Sequence, residues 1–288
     1  MKKILLVLVL VVFLVGCGLM GGMDTGRSPT AVDFRKGYSG LEIESLDGLP
    51  PKEMYEGGSF KIGLRMKNNG AYDIKRGELE IAGFDESYVV LSQKRKVLEP
   101  ILGKSITNPD GGFYIEEFDG QVLRSLGGAK EYPATYFVIG KYDYRAEAQT
   151  DVCVNTNLYS DLKLSEDSCK PEQSISLSGQ GAPVAITKIE EITVPESAGA
   201  KIVFKLYIEN KGKGTLTSPL YLEEAKLGNR RLTCEPRFLE LREPGEKVFV
   251  CTAYEAGAAN YKTPFYAAIY YTYQIKEKKS FKIKSLQV

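Results

Sequence analysis

Between Phe60 and Met66 apolar and other side chains alternate one for one. Phe60, Ile62, Leu64 and Met66 are separated by Lys61, Gly63 and Arg65. A helix of period 3.6 would scatter these apolar groups around its axis, whereas a strand of period two places them all on one face. The stretch is therefore expected to be a strand with one side in a core. The same design returns 142 residues later, where Ile202, Phe204, Leu206 and Ile208 alternate with Val203, Lys205, Tyr207 and Glu209. Each copy runs into an Asn-x-Gly, Asn68-Asn69-Gly70 and Asn210-Lys211-Gly212. That ending reads as a turn in which Gly is free to take positive φ.

A second correspondence follows at an offset of 129, with Tyr142-Asp143-Tyr144 matching Tyr271-Thr272-Tyr273. In each copy the Tyr-rich strand is expected to reach a polar turn (Glu147–Asp151 and Glu277–Ser280) and then another strand. The two offsets differ by 13, so the first copy carries about 13 extra residues, expected between Gly103 and Gly128. Further strand candidates are Leu41–Leu46, Glu78–Ile81, Phe113–Phe118 and Thr135–Ile139 in the first copy. In the second they are Ile186–Val194, Leu220–Leu222, Arg231–Cys234 and Lys247–Thr252. Ser87–Leu98 is the best helix candidate, though its Val89-Val90-Leu91 fits a strand equally well. Short strands separated by Gly and Pro turns predict an all-β chain of two tandem Ig-like β-sandwich domains. The first would span 37–178, with the extra loop and a disulfide-closed exit. Residues 179–182 would be the linker, and 183–288 the second sandwich.

An alternating strand ending in Asn-x-Gly, a Pro-Gly-Glu turn (Pro244-Gly245-Glu246) and a C-terminal Tyr-rich hairpin together resemble the immunoglobulin-like domains of the CARDB and NEW3 type. Such domains are common in archaeal and bacterial surface proteins. The resemblance covers about residues 183–288 well and 37–152 in part, departing in the middle of the first copy. It implies adhesion or interaction and supplies no catalytic residue.

The N-terminus fixes a compartment. Lys2-Lys3 precedes an uncharged apolar run of 12 residues, Ile4–Val15, and then Gly16-Cys17. A basic start, an apolar segment and a small residue at the cleavage point make a secretion signal. Leu14-Val15-Gly16-Cys17 resembles the lipobox of prokaryotic lipoproteins, which implies cleavage after residue 16 and lipid attachment at Cys17. Residues 18–36 would be a polar tether. The alternative is an uncleaved anchor, since the 20 residues Ile4–Met23 carry no charge. Gly16, Gly18, Gly21 and Gly22 make that a poor spanning helix. Either way the bulk of the chain lies outside the cytoplasmic membrane, held to its outer face.

Without Lys2 and Lys3, 36 basic side chains face 37 acidic ones, so no nucleic-acid partner is expected. The chain has no His, which removes Ser-His and Cys-His nucleophile pairs and His-ligated zinc. With Cys17 taken by lipid, Cys153, Cys169, Cys234 and Cys251 remain, an even number suited to an oxidising compartment. Three pairings are possible. The local ones, Cys153–Cys169 and Cys234–Cys251, are favoured, the second with Glu243-Pro244-Gly245-Glu246 as the turn between its strands. A four-Cys metal site is disfavoured because neither pair has the usual ligand spacing.

One cluster invites a chemical reading. Asp110, Glu116, Glu117 and Asp119 could serve as paired carboxylates or as Ca²⁺ ligands. On a strand, however, Glu117 and Asp119 share one face and Glu116 takes the other, so the cluster does not converge. Tyr266 and Tyr270 fall on the face opposite Phe265, Ile269, Tyr271 and Tyr273, giving a sheet surface that could bind protein or carbohydrate. Lys276, Lys278, Lys279, Lys282 and Lys284 fit the solvated face of an edge strand, and alternatively a contact for anionic lipid or polymer. Gly111-Gly112 and Gly127-Gly128 lack phosphate-loop spacing. No catalytic residue, cofactor or metal is expected. The predicted function is that of a non-enzymatic surface lipoprotein that binds or adheres to a protein or cell-envelope polymer. The alternatives are a structural subunit of a surface layer or appendage and, further off, a polysaccharide-acting accessory protein.

Overall fold

Period-two patterning and frequent Gly and Pro breaks leave strands as the regular structure of the described residues. The computed structural model describes residues 34–123, 128–156, 169–240 and 247–286, and holds no helix among them. Phe34–Val288 form one compact unit.

The first copy supplies β1 (Leu41–Ser45), β2 (Glu53–Tyr55), β3 (Ser59–Asn68), β4 (Gly77–Ala82), β5 (Val89–Leu91), β6 (Arg95–Val97), β7 (Phe113–Val122) and β8 (Glu131–Asn155). The short β9 (Ser174–Ser176) follows. The second copy supplies β10 (Val184–Glu196), β11 (Gly199–Asn210), β12 (Thr215–Leu216), β13 (Leu220–Leu227), β14 (Arg230–Arg231), β15 (Thr233–Glu235), β16 (Phe238–Leu239), β17 (Val248–Ala256) and β18 (Asn260–Lys284). They form a four-stranded sheet, β1-β3-β7-β5, a five-stranded sheet, β15-β17-β11-β10-β9, and a nine-stranded sheet built on β14-β13-β18-β8-β4-β6.

The large sheet is the organising element. β8 and β18, each 25 residues long, pair antiparallel from end to end, Glu131 with Lys284 through Asn155 with Asn260. Asp143 and Thr272, equivalent positions in the two copies, face each other. Tyr142 and Tyr144 lie opposite Tyr273 and Tyr271, so each residue meets its sibling's neighbour. That reciprocal register is a local two-fold axis, the geometry of an isologous dimer written into one chain. Each long strand therefore serves both halves. The end of β18 runs beside the first half of β8, where Phe281 packs 5.1 Å from Phe60 and β2 joins it at Lys282–Lys284.

The expected turns at Glu147–Asp151 and Glu277–Ser280 are not turns. Both stretches continue as strand, because their polar side chains lie in a ladder with the partner strand supplying the backbone bonds. The expected C-terminal hairpin is likewise one strand. Ser87–Leu98, the helix candidate, forms β5 and β6.

Along β8 the even positions from Ala134 to Ala148 are all buried, and along β18 so are Phe265, Ala267, Ile269, Tyr271, Tyr273, Phe281 and Ile283. The register puts all of these on one face. The two smaller sheets cover it, with Ile43 and Leu41 over Gly140 and Phe204 4.9 Å from Phe265. A single apolar cluster runs through the unit. At about 25 cal/mol per Å² of buried apolar surface, this shared core is the main source of cohesion.

The connection between the copies is built into this core. Residues 179–182 are buried rather than exposed. Gly181 donates its N–H to the Gly37 carbonyl (2.9 Å) and accepts from the Ala71 N–H (2.8 Å). The Gln180 side chain brackets Ile186, donating to its carbonyl and accepting from its N–H at 2.9 Å each. β9, inside the span expected for the first domain, pairs with β10 of the second copy's sheet.

β7 is likewise a core strand, not part of an extra loop. It pairs along β3 with Phe118 opposite Ile62, as Cys251 on β17 lies opposite Phe204. Those matches give an intermediate offset of 133, so the first copy's additional residues are split between the two sides of β7. The Asp, Glu and Gly residues of β7 disguise a strand whose inward positions include Phe118 and Val122.

Candidate functional site

The repeated motifs turn out to be parts of one hydrogen-bonded unit, present twice, buried around Asn68 in the first copy and nearer the surface in the second, where Asn210 is exposed. Tyr144 donates its hydroxyl to Asn68 Oδ1 at 3.1 Å and accepts from the Tyr72 N–H at 3.4 Å. Asn68 Nδ2 returns to the Tyr72 carbonyl at 2.7 Å, and the Gly70 N–H also reaches Oδ1. In the second copy Tyr273 donates to Asn210 (3.0 Å) and accepts from the Gly214 N–H (2.8 Å), while Asn210 donates to the Gly214 carbonyl (2.9 Å). Tyr142 and Tyr271 accept from the Leu41 and Val184 N–H groups at 3.1 and 3.2 Å. These rings satisfy polar groups that burial would otherwise leave at a cost.

The two glycines serve close approach, not positive φ, which neither adopts. A Cβ on Gly70 would meet the Tyr144 hydroxyl at 1.9 Å, and one on Gly212 the Tyr273 hydroxyl at 2.5 Å. Four tyrosines, Tyr142, Tyr144, Tyr271 and Tyr273, contact one another edge-on at the two-fold axis, with centroids 5.4 to 6.4 Å apart. Burial pushes the phenols of Tyr142, Tyr144 and Tyr271 well above their ordinary range, so they remain neutral hydrogen-bonding groups.

The opposite face of the nine-stranded sheet is the candidate interaction surface. Tyr266 and Tyr270 lie on it, half-buried, as the alternation predicted. Arg76 Nη2 donates to the Tyr270 hydroxyl at 2.8 Å and pairs with Asp143 at 2.9 Å. Thr272 donates to Asp143 at 2.8 Å. Next to them Arg145 donates to Tyr266 (3.2 Å) and Glu223 (2.6 Å), and pairs with Glu147. Glu147 also meets Arg35 at 3.4 Å, and Glu224 holds Lys226 and Arg231 at 2.8 Å each. Desolvation first, and then the neighbouring Asp143 or Glu147, raises the Tyr270 and Tyr266 phenols. Individual ion pairs of this exposure contribute at most about 1 kcal/mol. Their collective effect is positional, fixing two aromatic rings and several forked donors on a rigid plane. Arg76, Arg145 and Glu223 were not singled out by the sequence, since only the pairing of β4, β8, β18 and β13 brings them together.

The acidic cluster does not converge. Glu117 pairs with Lys61 at 2.6 Å and Asp119 lies 3.9 Å from the same ammonium, on one face of β7. Glu116, on the other face, takes Lys96 at 2.7 Å and the Tyr114 hydroxyl at 3.0 Å. Asp110 is exposed in a turn before Gly111. Among the described residues no group of three or more Asp, Glu or Cys is arranged to hold a metal ion. Lys282 and Lys284 pair with Glu131 and Glu53, and Lys279 with Glu277.

Both favoured disulfides are present. Cys153 and Cys169 are joined with Cα atoms 5.8 Å apart. Cys234 and Cys251 are joined across a directly opposed pair on β15 and β17. Two disulfides point to an extracytoplasmic location. Cys17, with the whole expected N-terminal signal, lies outside the described residues, as do Gly127 and the turn expected at Glu243–Glu246.

Glu191 was not foreseen. It sits on the inward side of β10 opposite Phe204, 4% exposed, and neither carboxylate oxygen has a partner. Burial raises its carboxyl to about 7. The signal was available, because Glu191 shares the inward alternation of Ile189 and Thr193.

No family model matches the chain. No curated protein matches it significantly.

Proposed function

We propose that this chain is a lipid-anchored, non-enzymatic binding module of the cell surface, held by Cys17 to the outer face of the membrane. Its Ig-like character, of the CARDB and NEW3 kind, rests on the motifs quoted above. The outward face of the nine-stranded sheet is its recognition surface for a protein or cell-envelope polymer. One observation carries this reading: Tyr266 and Tyr270, four residues apart on β18, are fixed on the outward face by Arg145 and Arg76 at the fused centre of the sheet. Tyr and Arg are the side chains that dominate binding hot spots, because they offer large contact area and directed donors at low conformational cost. A flat, charge-balanced surface of this kind suits an extended partner better than a small molecule.

The test is co-sedimentation of the full chain with isolated envelope polymer and with envelope protein, comparing wild type with a Tyr266→Ala/Tyr270→Ala double variant. Loss of binding by at least tenfold, about 1.4 kcal/mol, is expected. Equal binding by an equally stable variant would refute the assignment of this face.

A further inference from the structure

β10 outruns its outer neighbour. β9 reaches only as far as the Ser174–Glu190 pair, while β10 continues to Glu196. Where β9 ends, a cavity of about 420 Å³ opens, lined by Pro171, Gln173, Ser174 and the β10 residues Glu190, Glu191, Ile192 and Thr193. Glu191 and Thr193 are two apart on one strand, so their side chains stand on the same inward face. They are 4% and 9% exposed, and both Glu191 oxygens and the Thr193 hydroxyl lack a hydrogen-bond partner. Glu190 is already engaged by Lys188 at 2.7 Å and by the Tyr207 hydroxyl at 2.6 Å. None of the described lining residues is basic.

A native interior rarely leaves three such atoms unpaired in the wall of one cavity, because each unmade bond costs about 1 to 3 kcal/mol. All three are closed to solvent here, so an occupant reaches them through a turn of the Glu191 and Thr193 side chains. The missing complement is a group rich in donors, of single positive charge and small enough for the cavity. A divalent metal fits poorly, since only one carboxylate is free and hard cations take six or more oxygen ligands. A primary ammonium has three donors for two carboxylate oxygens and a hydroxyl.

We propose that the cavity at the end of β9 binds a primary ammonium group on an aliphatic chain, through Glu191 and Thr193. A free alkylamine and the lysine side chain of a peptide present the same chemistry. Isothermal titration calorimetry of the full chain distinguishes them, using n-butylammonium and an N-acetylated, C-amidated Ala-Lys-Ala peptide. 1-Butanol and the Nε-acetyl-lysine form of the peptide serve as uncharged controls. The expected result is saturable one-to-one binding of at least one ammonium probe and none of the controls. Affinity falls at least tenfold in Glu191→Gln and severalfold in Thr193→Val, with both variants folded by circular dichroism. Tighter binding of the peptide assigns the source to a basic side chain, and tighter or equal binding of butylammonium to a free amine. Absence of saturable binding by both probes at about 10 mM, some 2.7 kcal/mol of standard binding free energy, overturns the proposal. So does a smaller loss than tenfold in Glu191→Gln. Should that variant not fold, Thr193→Val decides, and unchanged affinity there overturns the proposal.

Discussion

Replacing Glu191 by Gln should stabilise the protein at neutral pH and leave it almost unchanged in acid. Its carboxyl stands at about 7 in the folded chain against an ordinary 4.5, and the cause is burial alone. A raised value means that the folded state holds this proton more tightly than the unfolded state does. Stability associated with Glu191 is therefore fully present below pH 4.5 and is lost as pH rises towards 7. Within that window each pH unit removes about 1.4 kcal/mol. Above it both states are ionised and the loss levels off at about 3 kcal/mol. The assay is urea unfolding of wild type and Glu191→Gln, followed by circular dichroism at intervals from about pH 4.5 to 8. Subtracting one curve from the other cancels every other titrating group. The stability difference should grow by about 3 kcal/mol across the range, with most of the rise below pH 7. A difference independent of pH would refute the reasoning, because it would mean that the carboxylate finds water or a counter-charge in the folded protein.

Other substitutions test the buried rings and the covalent links. Tyr144→Phe removes the hydroxyl that joins Asn68 Oδ1 to the Tyr72 N–H and should cost about 1–2 kcal/mol in urea unfolding. Tyr273→Phe should cost less, about 0.5–1 kcal/mol, because its partner Asn210 is exposed to water. Gly70→Ala forces a methyl to within 1.9 Å of the Tyr144 hydroxyl and 2.6 Å of two carbonyl oxygens, and should lower stability by about 3 kcal/mol. Replacing both members of either disulfide by Ser, across separations of 16 and 17 residues, should cost about 3 kcal/mol each in the chain-entropy account, read as a lower midpoint of thermal unfolding.

The strands were legible because alternation is a direct consequence of strand geometry, and Phe60–Met66 and Ile202–Ile208 display it plainly. The Cys pairs were legible because local spacing limits the choices. The junction of the two copies was not. Polar stretches at Glu147–Asp151 and Glu277–Ser280 looked like turns, since a sequence carries no sign that a strand's outward face belongs to a much longer sheet. Once β8 and β18 are paired, the same residues are ordinary ladder positions. The Asn-x-Gly and Tyr-x-Tyr motifs were each visible, yet their union required the register that brings Tyr144 onto Asn68. Arg76, Arg145 and Glu223 are remote in sequence and meet only through that pairing. Glu191 could have been flagged by its place between Ile189 and Thr193, where alternation puts a charge into a core.

Anchoring at Cys17 is the claim on which the surface role depends, and intact mass spectrometry of the protein purified from membranes tests it directly. The account predicts a chain lacking residues 1–16 and carrying acyl mass, with a Cys17→Ala variant that is neither lipidated nor processed at that position. A full-length, unlipidated chain in the membrane fraction would contradict it.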